Sequence, residues 1–460
     1  MSEGAEELAV GADEHAAGLG WGALLRRNRP FSYLFVATAG SATGTYLAAL
    51  VLAYDINRLT GSGQWIGALL VADFLPIVLI GLTLGPLVDR LPRRKLMIGA
   101  DLVRALVFAA LPFVDSPAAI VALAGLSGIA TGFFRPAVWA GLPNLVPEQE
   151  RESATALFST TENVAWVAGP IAAVALAAFG TSTAYWANAV SFVISALLIM
   201  RIPSRRMQTS APLTRGHWRD VRDGMSLVLA ARPLRTVLLA WSLAAIASAS
   251  VNIGEVKLAS DVFDTGIAGY AALVVSTGLG LVAGSYLAGR GLGSMGMSRL
   301  YWGSLLTMAF GFGAGAVAPW LALACVLAAI GAVGNGSAIV CNQVLVQRGA
   351  EDAMRGRVLA VLMSVYYACL ALGMGVAGVL TDALGPREVW GIAGGVYALA
   401  ATVAFVMTRT AQSDATSAHV GTSGQSRVER LLGEIDATRE REQAREATAL
   451  PYVPRKRTSA

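Results

Sequence analysis

Apolar residues fall in blocks of roughly 20 along most of this chain, separated by short polar or basic stretches. An α-helix rises about 1.5 Å per residue, so about 20 residues cross the roughly 30 Å of a bilayer's hydrocarbon. Twelve blocks predict helices over 31–54, 65–87, 96–114, 117–141, 153–179, 182–201, 234–258, 267–289, 299–318, 320–346, 357–384 and 387–408. Lipid offers the backbone no partners, so each block must satisfy its own amides as a helix. A membrane β-barrel would instead alternate with period two over strands of about ten residues. No sustained period-two pattern occurs here.

Composition points the same way. Hydrophobic residues make up 55% of the 460 positions and charged residues 14%, with a mean hydropathy of +0.58. A soluble domain is typically about 25% charged. So few charges cannot cover a globular surface, which argues against a soluble enzyme. Residues 1–30 read as a polar tail rather than a cleavable leader, because the first apolar block runs straight into the polytopic pattern.

Charge orders the blocks. Cytoplasmic loops of membrane proteins collect Lys and Arg. With the N-terminus inside, 30 of the 35 basic residues fall in inside segments. Arg58, Lys257 and Arg387 fall outside, and Arg104 and Arg135 fall within helices. The alternation predicts an even number of spans and both termini cytoplasmic. The basic stretch 202–233 divides the chain. The expected organisation is a tail over 1–30, a six-helix bundle over 31–201, a central loop over 202–233, a second six-helix bundle over 234–408 and a tail over 409–460. The halves echo each other. Leu87 and Arg90 after the second helix recur as Leu287 and Arg290 after the eighth, 200 positions on. A parallel repeat in a two-bundle transporter leaves such a trace. In the C-terminal tail Val428, Leu431, Leu432 and Ile435 have helical spacing.

Several chemistries find no support. Cys325, Cys341 and Cys369 lie inside apolar blocks without metal or redox spacing. His15, His217 and His419 all lie in soluble segments, which excludes an intramembrane histidine relay. Gly373, Gly375 and Gly378 match a dinucleotide fingerprint in spacing but sit in an apolar helix with no preceding strand. No Walker loop occurs. We therefore expect no catalytic residue, metal, cofactor or nucleic-acid partner.

The strongest local motif is Gly85, Leu87, Asp89, Arg90, Arg93 and Arg94 between the second and third helices. Glycine permits a tight turn, aspartate suits a helix N-terminus, and the arginines can bridge neighbouring helix ends. An ordinary positive-inside loop needs the basic residues alone. This motif resembles the signature loop of the major facilitator superfamily, Gly-x-Leu-Ala-Asp-Arg-x-Gly-Arg-Arg/Lys, with Pro92 in place of the second glycine. Phe133-Phe134-Arg135-Pro136-Ala137, Asn188-Ala189-Val190-Ser191-Phe192 and Arg355-Gly356-Arg357 resemble its branch of bacterial drug, macrolide and enterobactin exporters. The resemblance spans roughly 28–408. It implies an all-α membrane protein with twelve transmembrane helices in two six-helix bundles rocking about a central cavity. It also implies that Gly85, Asp89, Arg90, Arg93 and Arg94 gate the cytoplasmic side without touching substrate.

In the fifth helix Gly169 and Pro170 partly match a longer exporter motif. Proline removes a backbone bond and kinks a helix. The pairs Gly81 and Gly85, Gly128 and Gly132, and Gly280 and Gly284 have the small-x-x-x-small spacing of close helix contacts. Each charge at a helix centre costs about 2.5–3.5 kcal/mol to insert, so buried charges carry meaning. Similar depth makes Arg135 and Glu162 candidates for an ion pair. Asp101 and Arg104, three apart, are candidates for another. Asp73 has no basic partner at its depth. Glu255 and Lys257 lie near the outer end of the seventh helix, within reach of the interface. Glu162 and Asp73 are the proton-coupling candidates, since a carboxyl in a low-dielectric cavity can take up a proton near neutral pH. Trp166, Asn252, Asn335, Asn342, Tyr366 and Tyr367 are candidates for a cavity lining.

The expected function is export of a small, amphipathic molecule such as a drug, antibiotic or siderophore, by proton antiport in a bacterial cell membrane. The expected partners are that molecule, protons and the lipid bilayer, and the chain reads as a monomer. A proton-coupled importer and a polytopic membrane enzyme are the alternatives. The enzyme lacks any histidine or metal constellation in the inside loops.

Overall fold

The computed structural model describes residues 21–83, 91–207 and 217–417. Gly85, Leu87, Asp89 and Arg90 lie outside the described residues, as do 428–435. The described residues form fourteen α-helices. They are α1 (Trp21–Arg27), α2 (Arg29–Thr60), α3 (Gly63–Thr83), α4 (Arg93–Ala110), α5 (Pro117–Gly141), α6 (Arg151–Ala177) and α7 (Thr181–Met200). There follow α8 (His217–Ala230), α9 (Arg232–Lys257), α10 (Gly266–Ser294), α11 (Met297–Gly315), α12 (Leu321–Gly349), α13 (Asp352–Leu384) and α14 (Pro386–Ser417). All but α1 and α8 correspond to the twelve apolar blocks.

Ten of the twelve are long and apolar enough by themselves to cross a membrane. The other two are α6 and α11. α6 carries Arg151, Glu152, Glu162 and the run Ser159, Thr160 and Thr161, and α11 mixes Arg299 with glycines and hydroxyls. Large apolar side chains such as Leu106, Phe113 and Leu372 point outward, each more than 70% exposed. A lipid-facing surface can leave them so, whereas water would penalise that much exposed apolar area.

Local chemistry sets the helix ends. At the start of α2, Pro30 occupies a first-turn position and the Asn28 side chain accepts from the Phe31 amide at 3.2 Å. Both satisfy N-terminal rules. α2 stops at Gly61, whose φ of 60° suits glycine and turns the chain into α3 within two residues. α1 and α8 form where the block pattern predicts no helix. α8 is anchored by buried Leu227 and Val228, by Gly224 against the Arg357 backbone and by Asp223 at 3.7 Å from Arg357. It packs on α13 and α9.

The packing is two-fold repeated. In the first half α2 packs on α6 and α7, α4 on α5 and α7, and α3 on α5. In the second half α9 packs on α13 and α14, α11 on α12 and α14, and α10 on α12. Counted along each half, these are the same pairs. The halves meet along two seams, α3 with α13 and α6 with α10, again equivalent. We call the face where α2 begins and α14 ends the terminal face, and the other the far face.

Glycine makes the close seams. Gly128 and Gly132 of α5 lie against the backbone of Asp73 and the side chain of Ile80 on α3. Gly280 and Gly284 of α10 lie against the Ala329 and Val333 carbonyls of α12. Between the bundles, Gly63 and Gly67 of α3 meet Gly378 and the Met374 carbonyl of α13. Gly373 sits against Ala249 and Ile246 of α9. The dinucleotide-like glycines are thus two contacts of one helix with two neighbours. Gly289 and Gly375 have open space instead.

A methyl group at Gly284 would overlap the Val333 carbonyl, and backbone cannot swing aside as a side chain can. Gly284→Ala should cost about 1–3 kcal/mol. The loss would appear as a lower Tm of the detergent-purified protein. Gly289→Ala, in open space, serves as the control, and equal Tm values for the two variants would refute the packing role.

Candidate functional site

Two long helices of the first bundle place an ion pair. Arg135 on α5 donates to Glu162 on α6 at 3.1 Å. The side chains keep 46% and 31% of their surface open although both lie well within the helices. Tyr46 on α2 stands within electrostatic reach of both charges and also of Tyr367 on α13, from the other bundle. Its ring lies 5.2 Å from Trp166 on α6. In the second bundle, Tyr366 lies 5.3 Å from Tyr367 and 5.4 Å from Trp241 on α9. The result is a cluster where the two bundles meet, with an ion pair on one side and aromatic rings on both. Rings and one ion pair suit a ligand with apolar bulk and a polar or charged group.

Gly169 and Pro170 support the ion-pair side. α6 remains one helix through Pro170. Gly169 lies against Tyr46, Leu47 and Thr43, so α6 seats directly on α2 and fixes the Tyr46 and Trp166 rings beside each other. Of the other cavity-lining candidates, Asn342 is buried, and neither its amide nitrogen nor its oxygen has a partner among the described residues. Asn252 and Asn335 are half-buried.

The second pair is structural in its setting. Asp101 and Arg104 of α4 are in direct contact and almost fully buried. Ser195 of α7 donates to the other Asp101 oxygen at 2.7 Å. The guanidinium lies 4.2 Å from the Phe134 ring centre and 4.3 Å from that of Phe192. A cation between two ring faces, with its carboxylate fixed by a hydroxyl, is a well-compensated buried charge. Asp73 on α3 differs. It has no hydrogen-bond or ion-pair partner among the described residues, and Arg104 is the cation within its electrostatic reach.

Of the loop motif, Arg93 and Arg94 are described. Arg93 donates to the Ala140 carbonyl at 2.9 Å and the Met207 carbonyl at 3.1 Å. Arg94 donates to the carbonyls of Ile199 and Met200 and to Ser204. These carbonyls lie at the C-terminal ends of α5 and α7 and just beyond, where helix dipoles favour cations. All belong to the first bundle or the segment leaving it.

Sequence reasoning missed what joins the bundles at the far face. Lys257 does not reach an interface: it is buried, donates to the Gly61 carbonyl at 2.8 Å and pairs with Asp261. Asp382, at the end of α13, accepts from the Ser62 hydroxyl at 2.6 Å, the Gln64 amide at 3.0 Å and the Gly63 amide. Glu255 is also buried, 5% exposed, with no partner among the described residues. Within its electrostatic reach are Tyr270, Tyr397 and Cys325. Block periodicity placed Glu255 at a helix end but could not tell which way it turned. Among the described residues no cluster of three or more His, Cys, Asp or Glu could hold a metal ion.

The sequence profile of the Major Facilitator Superfamily matches residues 32–367. The chain belongs to the major facilitator superfamily. It is 26% identical over 378 residues to the multidrug efflux pump Tap of Mycobacterium tuberculosis, covering 78% of this chain and 88% of the pump. It is 29% identical over 376 residues to the Tap pump of Mycolicibacterium fortuitum, covering 76% and 89%. With macrolide efflux protein A of Streptococcus pyogenes it shares 24% identity over 269 residues, 56% of this chain and 66% of that protein. Among solved structures it is similar to a bacterial homolog of the human lysosomal transporter Spinster. That match has a TM-score of 0.67 and 15% identity and covers 83% and 97% of the two chains. The nucleoside transporter NupG superposes with a TM-score of 0.64 at 14% identity, covering 82% and 99%. As a major facilitator protein the chain is a multi-pass membrane transporter of small molecules.

The compensated pair in this fold makes a stability test. Asp101→Asn leaves Arg104 buried without a counter-charge and should cost about 3–5 kcal/mol. Replacing both, Asp101→Leu with Arg104→Met, should recover most of that loss. The readout is Tm of the purified protein. A double variant as unstable as the single one would show that the charges do more than cancel each other.

Proposed function

We propose that this protein exports a small amphipathic molecule across a bacterial cell membrane by proton antiport, through alternating access to a site between the bundles. The observation that carries the reading is this cluster of rings and charges at the meeting of the bundles. It joins Glu162 and Arg135 to Tyr46, Trp166, Tyr366 and Tyr367 from both bundles, in a chain whose relatives include multidrug and macrolide efflux proteins. Rings with no fixed hydrogen-bond pattern tolerate varied apolar ligands, and the ion pair supplies a charge to compete for. The basic residues gathered at the terminal face support a cytoplasmic orientation for both ends. In that orientation the far face is extracellular, and its contacts join the bundles on the outer side. The gating role of Gly85, Asp89, Arg90, Arg93 and Arg94 rests on the loop motif. The contacts of Arg93 and Arg94 with helix C-termini support a brace inside the first bundle.

Antiport needs a group that binds a proton in one state and releases it in another. Glu162 fits because it can trade Arg135 for a cationic ligand or a proton. Asp73 fits because it has no counter-charge of its own, and Glu255 joins them for the same reason. Inverted membrane vesicles energised to an acid interior and supplied with an external fluorescent amphipathic cation test all three. Glu162→Gln, Asp73→Asn and Glu255→Gln are compared with the parent. In one of them gradient-driven accumulation should fall at least about tenfold, while dye exchange without a gradient persists. Full coupled transport in all three variants would end the antiport reading at these residues. Dye exclusion from cells that survives collapse of the proton gradient would end it altogether.

A further inference from the structure

The turn between α2 and α3 is two residues long, Gly61 and Ser62. It therefore brings two opposite helix poles side by side. The last carbonyls of α2 carry partial negative charge, and the first amides of α3 carry partial positive charge, with no intrahelical partner for either set. The second bundle sends one charge to each. Lys257 of α9 donates to the Gly61 carbonyl at 2.8 Å. Asp382 of α13 accepts from Ser62, Gly63 and Gln64. Each charge meets the pole it favours. Four hydrogen bonds thus join the bundles at one hairpin tip, and just beneath them Gly63 meets Gly378 and Gly67 meets the Met374 carbonyl.

We propose that Lys257 and Asp382 are gating residues, a two-charge clasp that holds the far face shut and is released once per transport cycle. The inference rests on the alternating-access part of the proposed function, and on neither the substrate nor the coupling ion.

The clasp differs from the other buried charges in what happens when it opens. Asp101 and Arg104 have both partners in one bundle, so relative motion of the bundles leaves them untouched. The Asp382 side chain is exposed, and on release water replaces the three donors it loses. Lys257 is buried, but Asp261 of its own bundle stays paired with it, so the ammonium is never orphaned. Nearby charges do not compete. Arg58 pairs with Asp55 of its own helix at 3.7 Å, and Arg387 donates to the Ala316 carbonyl at 2.8 Å within the second bundle. Both sides of the clasp can therefore part without stranding a charge, which suits a contact made and broken repeatedly.

Spin labels at Phe179→Cys and Val317→Cys report the opening. Both positions lie in far-face turns, one per bundle, 80% and 78% exposed. The parent carries Ala in place of Cys325, Cys341 and Cys369. Asp382→Asn keeps an acceptor oxygen without the charge, and Asp382→Ala removes both. At an exposed position neither should prevent folding, which size-exclusion elution checks. In the parent a short label distance should dominate. In both variants the longer-distance fraction should rise at least about threefold, more in Asp382→Ala. Distance distributions that superimpose on the parent's would overturn the clasp, whether or not Tm falls, because a fall in Tm alone marks a static brace. No substrate is needed, so the result stands apart from the vesicle assay. If dye export proves not to be proton-driven, the distances still decide the clasp.

Discussion

In hydrocarbon an amide or a charge finds no partner, so each must be satisfied inside the protein. That constraint makes every span a helix. It also dictates how the spans meet. Lipid tails are as apolar as leucine, so burying leucine between helices gains little, and close backbone contact has to do the holding instead. Gly128, Gly132, Gly280 and Gly284 supply it within the bundles, and Gly63, Gly67 and Gly378 supply it between them. The same constraint explains the treatment of the ionic groups. Arg104 lies between two phenyl rings with its carboxylate alongside, and Arg93 and Arg94 are spent on helix ends. Asp73 and Glu255 are the described acids left within spans without a partner. An acid within a span and without a counter-charge has a cost that packing does not explain, which is why both stand beside Glu162 as candidates for proton traffic.

The helices were legible because a span declares itself by length and apolarity within one stretch of chain. So were the local pairs. Asp101 and Arg104 are one helical turn apart, and Arg135 and Glu162 sit at similar depth on two helices joined by a short connection. The glycine spacings likewise announced contact faces, though not their partners. What stayed hidden lies far apart in sequence. Nothing local marks Phe134 and Phe192 as the rings around Arg104, because apolar residues line every face of a membrane helix. Lys257 and Asp382 meet the α2–α3 turn across 196 and 318–320 positions. Lys257 read as an interfacial residue, since depth along a helix says nothing of the direction a side chain takes. α8 was hidden for another reason: its 14 residues mix charge with a few apolar positions and lack a span's uniform apolarity.

The two kinds of charge site divide the labour. Those closed within the first bundle, at Arg104 and at Arg93 and Arg94, tie its helices to one another. Those touching the seam, at Lys257 and Asp382 and around Glu162, lie where the two bundles meet. A rigid body with few polar contacts across its seams can shift as a unit, because packed interiors resist gradual deformation and move between discrete arrangements.

The repeated packing has a bearing on how such a chain arises. Each half holds six spans, an even number, so each begins and ends at the same face. A second copy joined in tandem enters the bilayer in the same sense as the first and needs no inversion. It needs only a connector running along that face. Arg93 ties Met207 to the first half, and α8 is docked on the second. The connector thus has its first end held by the first bundle and its last end held by the second.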